Sequence, residues 1–169
     1  AHGCSGVSFE PICGFGAHAA DPHHGNDDTP LTAGQCVLID VGGVYRDYCS
    51  DMTRTFFTAE PTEEERKVYE LVRQAQAAAE ALVKPGVRLC DIDAAARDII
   101  TAAGYGPYFN HRLGHFIGLE DHEAGDVSAV NENVAVPGMC FSIEPGIYLP
   151  GKFGVRIEDL VRVTEDGCE

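Results

Sequence analysis

The sequence predicts an α+β domain, in which helices cover one face of a curved, largely antiparallel sheet. Three observations lead there. The hydrophobic period runs as strand, then helix, then strand again. The middle of the chain carries two helical stripes with start and stop signals. Two stretches a constant 104 residues apart also read nearly alike: Gly34-Gln35-Cys36-Val37-Leu38-Ile39-Asp40-Val41-Gly42 and Gly138-Met139-Cys140-Phe141-Ser142-Ile143-Glu144-Pro145-Gly146. Gly, Cys, Ile, acid and Gly coincide, and a Tyr follows each (Tyr45, Tyr148). The repeat points to a duplicated β-hairpin.

Residues 1–34, rich in Gly, Pro and His, are expected to be strand and loop. Cys36–Val41 is an apolar run between glycines, hence a buried strand. Gly42-Gly43 reads as a hairpin turn, with Val44–Tyr48 and Met52–Phe57 continuing the sheet. Thr62-Glu63-Glu64-Glu65 is a capping box. Val68, Leu71, Val72, Ala75, Ala79 and Leu82 follow at helical spacing until Pro85-Gly86 stops them. A second helix is expected from Asp91 to Ala103, with Gly104 as its C-terminal cap. Strands resume over Leu113–Leu119, Met139–Ile143, Ile147–Leu149 and Val155–Val163, with Asn131–Pro137 as a loop.

Composition narrows the function. At 169 residues the chain is one domain's worth, and 44% apolar residues give it a core. A net charge of -15 argues against nucleic acid or an anionic membrane as partner. No apolar run is long enough to span a bilayer. No secretory leader opens the chain, which begins at Ala1 without an initiator Met, so it is read as a mature product or a fragment. Seven Cys without a CxxC pair suggest neither a zinc knuckle nor a disulfide framework, and fit a reducing cytoplasm.

The chemistry lies in the repeat. Each half ends on an acid (Asp40, Glu144) and then brings a second (Asp51, Glu158). With His115 these make a candidate ligand set of four carboxylates and one imidazole. Oxygen donors of this kind suit Mn²⁺, Co²⁺, Fe²⁺ or Zn²⁺ bridged by carboxylates. Converging carboxylates repel, so burying them together calls for cations.

Five segments resemble the M24 pita-bread metallopeptidases, a family that includes methionine aminopeptidases, aminopeptidase P and prolidase. They are Ala19-Ala20-Asp21-Pro22-His23-His24; Ile39-Asp40-Val41-Gly42 through Ser50-Asp51-Met52-Thr53-Arg54-Thr55; His111-Arg112-Leu113-Gly114-His115 through His122-Glu123; Phe141-Ser142-Ile143-Glu144-Pro145-Gly146; and Gly154-Val155-Arg156-Ile157-Glu158-Asp159. The resemblance implies a pseudo-symmetric curved sheet and a dinuclear centre. Asp40 would bind one metal and His115 the other, with Asp51, Glu144 and Glu158 bridging or chelating. The implied reaction is hydrolysis of Xaa-Pro peptide bonds by a bridging hydroxide, with two divalent ions, Mn²⁺ foremost, as cofactors. Glu144 would move the proton, and His23 and His122 would face the tetrahedral intermediate. His111 is read as lining the substrate pocket or packing beside it. Arg156 is read as orienting carboxylates, meeting a substrate carboxylate or forming a plain ion pair. Glu120, Asp121 and Glu123 are read as solvated or behind the ligands, and His2 and His18 as structural. His24 is read as pointing away from His23.

Two departures stand out. Phe116 follows the metal-binding His where the family usually has Gly, and its bulk is expected to narrow the pocket; Asn is commoner where His18 stands. The family's catalytic domains usually begin with two further helices, and the Xaa-Pro branch has a separate N-terminal domain that helps dimerise. Residues 1–169 are therefore expected to be a partial catalytic domain, from a parent acting on proline-containing peptides as a homodimer in the cytoplasm. The alternatives are a non-catalytic pita-bread module that binds peptides or proteins, and a methionine aminopeptidase.

Overall fold

The computed structural model describes residues 3–169, so His2 lies outside the described residues. The strands are β1 (Gly6–Val7), β2 (Ile12–Phe15), β3 (Cys36–Val41), β4 (Gly43–Tyr45), β5 (Tyr48–Cys49), β6 (Met52–Phe57), β7 (Gly114–Phe116), β8 (Glu123–Val127), β9 (Cys140–Ile143), β10 (Gly146–Leu149), β11 (Phe153–Arg156) and β12 (Asp159–Arg162). Helices α1 (Glu63–Leu82) and α2 (Leu89–Ala102) separate the first six strands from the rest. Among the described residues every paired strand is antiparallel.

The 104-residue repeat is realised as two kinked hairpins. In the first, β3 pairs with β6, setting Asp40 opposite Thr53, and beyond the kink β4 pairs with β5. In the second, β9 pairs with β12 and β10 with β11. The glycines that open the two copies share a left-handed backbone, φ 84° at Gly34 and 92° at Gly138, which only glycine adopts without strain. Thr53 and Thr55 of β6 stitch the copies together: the Thr53 carbonyl accepts from Glu158 N, and Thr55 Oγ1 donates to the Arg156 carbonyl. Asp51, Glu144 and Glu158 all fall at the kinks, so the geometry that bends the strands also gathers the acids.

The hairpin turn expected at Gly42-Gly43 is not there. The chain runs on through Gly42, and the turn falls at Arg46 and Asp47, whose φ values of 51° and 70° are what a two-residue hairpin turn requires. Gly42 answers a different demand: a Cβ there would sit 2.0 Å from the Ser50 carbonyl oxygen. Val44–Tyr48 is consequently two strands around a turn, not one. Leu113–Leu119 shrinks to β7, which a bulge distorts between His115 and Phe116. Val155–Val163 breaks at Ile157-Glu158 into β11 and β12, and β8 was not expected.

The helices follow the sequence closely. Thr62 Oγ1 accepts from Glu65 N and the Thr62 amide donates to the Glu65 carboxylate, completing the capping box. Helix α2 starts two residues earlier than expected, at Leu89. Val68, Val72, Ala75 and Ala79 of α1 and Ile92, Ala96 and Ile100 of α2 are fully buried with Phe141, Ile143, Ile147 and Val155 of the sheet. Each such Val, Ile or Phe contributes roughly 1.5–3 kcal/mol by leaving water. Met52 and Phe56, on the other face of β6 from Thr53 and Thr55, stand exposed. Among the described residues no helix is long and apolar enough to cross a membrane.

Candidate metal centre

A cleft of about 530 Å³ opens over the kinks of both hairpins. Its walls include Asp40, Asp51, His115, Glu144, His23, His111, His122 and Arg156. Eight of the nine residues singled out in the sequence therefore share one cavity; the ninth, Glu158, is 1% exposed beneath its floor.

The floor is tightly organised. One ligand atom each from Asp51, His115 and Glu158 lie within 4.8 Å of one another. His115 Nε2 stands 3.3 Å from Asp51 Oδ2 and 3.6 Å from Glu144 Oε1. The other ring nitrogen, Nδ1, lies 3.2 Å from the Phe116 carbonyl oxygen. A carbonyl cannot donate, so that contact holds the hydrogen on Nδ1 and turns the Nε2 lone pair toward the acids. Ser142 Oγ accepts from His115 N and donates to Glu144 Oε1, linking the two. Thr53 Oγ1 donates to Glu158 Oε2 at 2.7 Å. Arg54 donates to the Glu158 carbonyl and to Asp159, and Gln76 of α1 holds the other Asp159 oxygen, which fixes the second kink.

The acids are held in an environment that resists their charge. Burial pushes the Asp40 carboxyl up to about 6, with Arg156 opposing the rise and Asp51 adding to it. Burial likewise carries Glu144 up to about 7, against Arg156 and His115, and raises Glu158 well above the usual range, with Glu144 and Asp51 adding to it. Burial alone would lower His115; its contact with Asp51 and the charge of Glu144 outweigh that and raise it.

Among the described residues, the buried side-chain oxygens or nitrogens that find no hydrogen-bond partner are Asp40 Oδ1, Asp51 Oδ1, Glu158 Oε1 and Asp121 Oδ1. Three belong to the expected ligand set and the fourth lines the same cleft. An unpartnered buried carboxylate oxygen is expensive, and a divalent cation satisfies several at once. Hard oxygen donors with one imidazole fit Mn²⁺, Co²⁺, Fe²⁺ or Zn²⁺, so the residues present fit the ions that the sequence implied.

The remaining residues sort by position. The His122 ring centroid is 3.9 Å from that of His115, and its side chain is 58% exposed at the mouth. Burial and the neighbouring His115 lower its pKa, favouring the neutral ring. His23 is exposed and lines the same cleft. His111 precedes β7, so it reaches the cleft from a loop and not by strand alternation. Burial takes its pKa down to about 4, and Nε2 meets the Tyr148 hydroxyl at 3.0 Å. Arg156 is 3% exposed and committed to protein groups: Nη2 to Asp40, Nη1 to Tyr148 and Pro22, Nε to Thr53. The 2.6 Å contact with Asp40 is the geometry of a buried ion pair, which also orients that carboxylate.

Phe116 does not narrow the cleft. Its ring packs with Phe141 (centroids 5.8 Å apart) and lies over Gly125, where a Cβ would meet it at 2.3 Å. The bulge at His115/Phe116 turns the side chain out of the wall. Glu123 is exposed, in keeping with a solvated acid, and its Oε1 accepts from Leu119 N and Glu120 N, closing the turn before β8. Asp121 is half-buried in the cleft and burial raises it to about 6. Sequence reasoning also passed over Tyr148, Ser142 and Thr53. Tyr148 was visible as a member of the repeat, but its counterpart Tyr45 is 49% exposed while Tyr148 is 3% exposed, so the duplication concealed its role.

Comparison with known proteins agrees with this layout. The sequence model of metallopeptidase family M24 matches residues 1–165. An uncharacterized peptidase of Staphylococcus aureus (strain MRSA252) is 49% identical over 168 residues, covering 99% of this chain and 48% of its own length. The prolidase from Pyrococcus furiosus superposes with a TM-score of 0.97 at 44% identity, over 99% of this chain and 50% of that one. The Xaa-Pro dipeptidase from Bacillus anthracis does so with a TM-score of 0.97 at 42% identity, over 99% and 47%. The chain thus spans about half the length of the curated relatives it matches. The family match over nearly the whole chain, with relatives of more than 40% identity, means that the chain belongs to metallopeptidase family M24.

Proposed function

We propose that residues 1–169 are part of the catalytic domain of a metal-dependent exopeptidase that hydrolyses Xaa-Pro peptide bonds. The observation that carries this is the set of unpartnered buried carboxylate oxygens on the floor of a cleft large enough for a short peptide. The prolidase and Xaa-Pro dipeptidase likenesses supply the substrate class.

Asp40, Asp51, His115, Glu144 and Glu158 would hold two divalent ions, with Mn²⁺ best matched to the oxygen-rich set. When bound, such ions supply Lewis acidity that makes a water nucleophilic near neutral pH and polarises a carbonyl. Glu144, held near 7, is suited to take a proton from the attacking water and return it to the leaving nitrogen. His122 and His23 both line the cleft and would donate to the oxyanion of the tetrahedral intermediate. His111 stays neutral and walls the substrate side. Arg156 positions Asp40. The seven free cysteines accord with a cytoplasmic location, and the parent is a homodimer in this reading.

A binding module would give the unpartnered acids nothing to do, and so ranks second. The test is hydrolysis of an Xaa-Pro dipeptide, an Xaa-Pro-Xaa tripeptide and a Met-Ala-Xaa tripeptide by chelator-stripped protein, with Mn²⁺, Co²⁺ or Zn²⁺ restored, beside Glu144→Ala. Metal-restored cleavage of the proline peptides that the variant lacks is expected. Cleavage of the methionine peptide alone, or none despite bound metal, would overturn it.

A further inference from the structure

We propose that His18, His24 and Asp27 form a separate metal site outside the cleft, one that takes a single ion of the zinc class through two imidazoles and a carboxylate. The three offer ligand atoms within 4.8 Å of one another. His18 sits on the short 3₁₀ turn Gly16–Ala20, which packs against β2, β3 and β11, so its base is rigid. The chain then doubles back, with His24 N donating to the Asp21 carbonyl, and lays the His24 ring beside that of His18 (centroids 4.4 Å apart, planes tilted 34°). Asn26 anchors the loop to the β2 end: Nδ2 donates to the Pro11 carbonyl and Oδ1 accepts from Cys13 N. Asp27 follows directly. Its Oδ1 is used by Thr29 N, which leaves Oδ2 facing the imidazoles.

Oδ2 stands 3.7 Å from His18 Nδ1 and 3.9 Å from His24 Nε2. Both separations are too long for hydrogen bonds and amount to ion pairs only when the rings are protonated, so neutral rings and the carboxylate converge without a direct bond. Donors about 2.0–2.2 Å from a tetrahedral ion lie about 3.4 Å apart, so the two carboxylate–imidazole separations need to close by only a few tenths of an ångström. Two imidazoles favour Zn²⁺, Ni²⁺ or Cu²⁺, whereas the carboxylate-rich floor of the cleft favours harder ions. With only three protein ligands and the side chains of His18 and Asp27 partly open (40% and 47% exposed), water fills the remaining positions. A bound ion would tie the Asp21–Thr29 loop, and with it the backbone of His23, to the 3₁₀ turn.

The experiment is titration of the Mn²⁺-saturated protein with Zn²⁺, followed by calorimetry and by metal analysis after gel filtration, in the wild type, His18→Asn and Asp27→Asn. Asp27→Asn is near-isosteric, His18→Asn keeps a polar group in place of the ring, and an unchanged Mn²⁺ content and melting temperature check their fold. The wild type is expected to take up one more equivalent of Zn²⁺ than either variant, or to bind it at least tenfold more tightly. Anomalous density at the zinc edge between His18, His24 and Asp27 in zinc-soaked crystals would agree. Equal Zn²⁺ uptake by all three proteins, or zinc density absent from this position, would overturn the proposal. Exchange of Zn²⁺ into the cleft would be common to wild type and variants and so drops out of the difference.

Discussion

Arg156 Nη2 lies 2.6 Å from Asp40 Oδ2, with both groups buried beneath the cleft. The same guanidinium reaches Thr53 and Tyr148, so it joins the two copies of the repeat at the point where their carboxylates meet. It offsets part of the repulsion among Asp40, Asp51, Glu144 and Glu158 while leaving Asp40 Oδ1 without a protein partner. Removing one partner of a buried pair costs about 3–5 kcal/mol. Arg156→Ala is therefore expected to lower the stability of chelator-stripped protein by that order, measured by urea unfolding. Arg156→Lys keeps the charge but not the fork, and should cost less. A loss below about 1 kcal/mol in the alanine variant would show the pair to be incidental.

The raised carboxyls set a pH dependence for the stripped protein. Glu144 stands at about 7 when folded, against an ordinary 4.5. Between those values the native chain holds a proton the unfolded chain has lost, so stability falls as pH rises through about 7. A shift of that size corresponds to roughly 3 kcal/mol. Asp40 and Glu158, also raised, act in the same direction. His111, lowered to about 4, acts oppositely between pH 4 and 6.5 and offsets part of the loss there. Saturating Mn²⁺ should reverse the slope, because ions bind the ionised acids. Thermal melts from pH 5 to 8.5 with and without Mn²⁺ read both slopes, and parallel curves would contradict the assignment.

Phe116→Gly restores the residue usual in the family, yet the ring belongs to the core side of β7. It is expected to cost about 2–4 kcal/mol of stability through lost packing, with kcat/KM for an Xaa-Pro dipeptide changed less than about threefold. Gly125→Ala should be destabilising in the wild type both through backbone strain at φ 115° and through the 2.3 Å clash with that ring, and the Phe116→Gly background should relieve only the clash. A double-mutant cycle measures the coupling; additive effects would sink it.

Tyr148→Phe removes the hydroxyl that stands between His111 Nε2 and Arg156 Nη1. The side chain is buried, so the cost is about 1–3 kcal/mol from the groups left unpaired. Nuclear magnetic resonance titration of His111 should also show its pKa altered; an unchanged titration would mean the contact is not made in solution.

Much of this was legible in the sequence because repetition is a strong signal. The acids of the two copies, the shared opening glycines and both helices were read from position and period alone. The bends were harder. Gly42-Gly43 has turn composition, but Gly42 serves a close approach to Ser50, and the true turn uses Arg46 and Asp47. Val155–Val163 looks like one strand because Val155, Ile157, Val161 and Val163 alternate with Arg156, Glu158 and Arg162 across the kink. Glu123–Val127 carries two acids and two small residues, so β8 shows neither alternation nor an apolar run. His18 and His24 were set aside one at a time, since nothing in their spacing foretells that the chain doubles back and brings their rings together.

The measurement that bears most directly on the account is anomalous scattering from crystals of the protein grown in Mn²⁺. Two peaks are expected on the cleft floor, ligated by Asp40, Asp51, His115, Glu144 and Glu158, with Asp40 on one ion and His115 on the other. A floor that holds one ion or none, or ions that leave Asp40 and Glu158 uncoordinated, would contradict it.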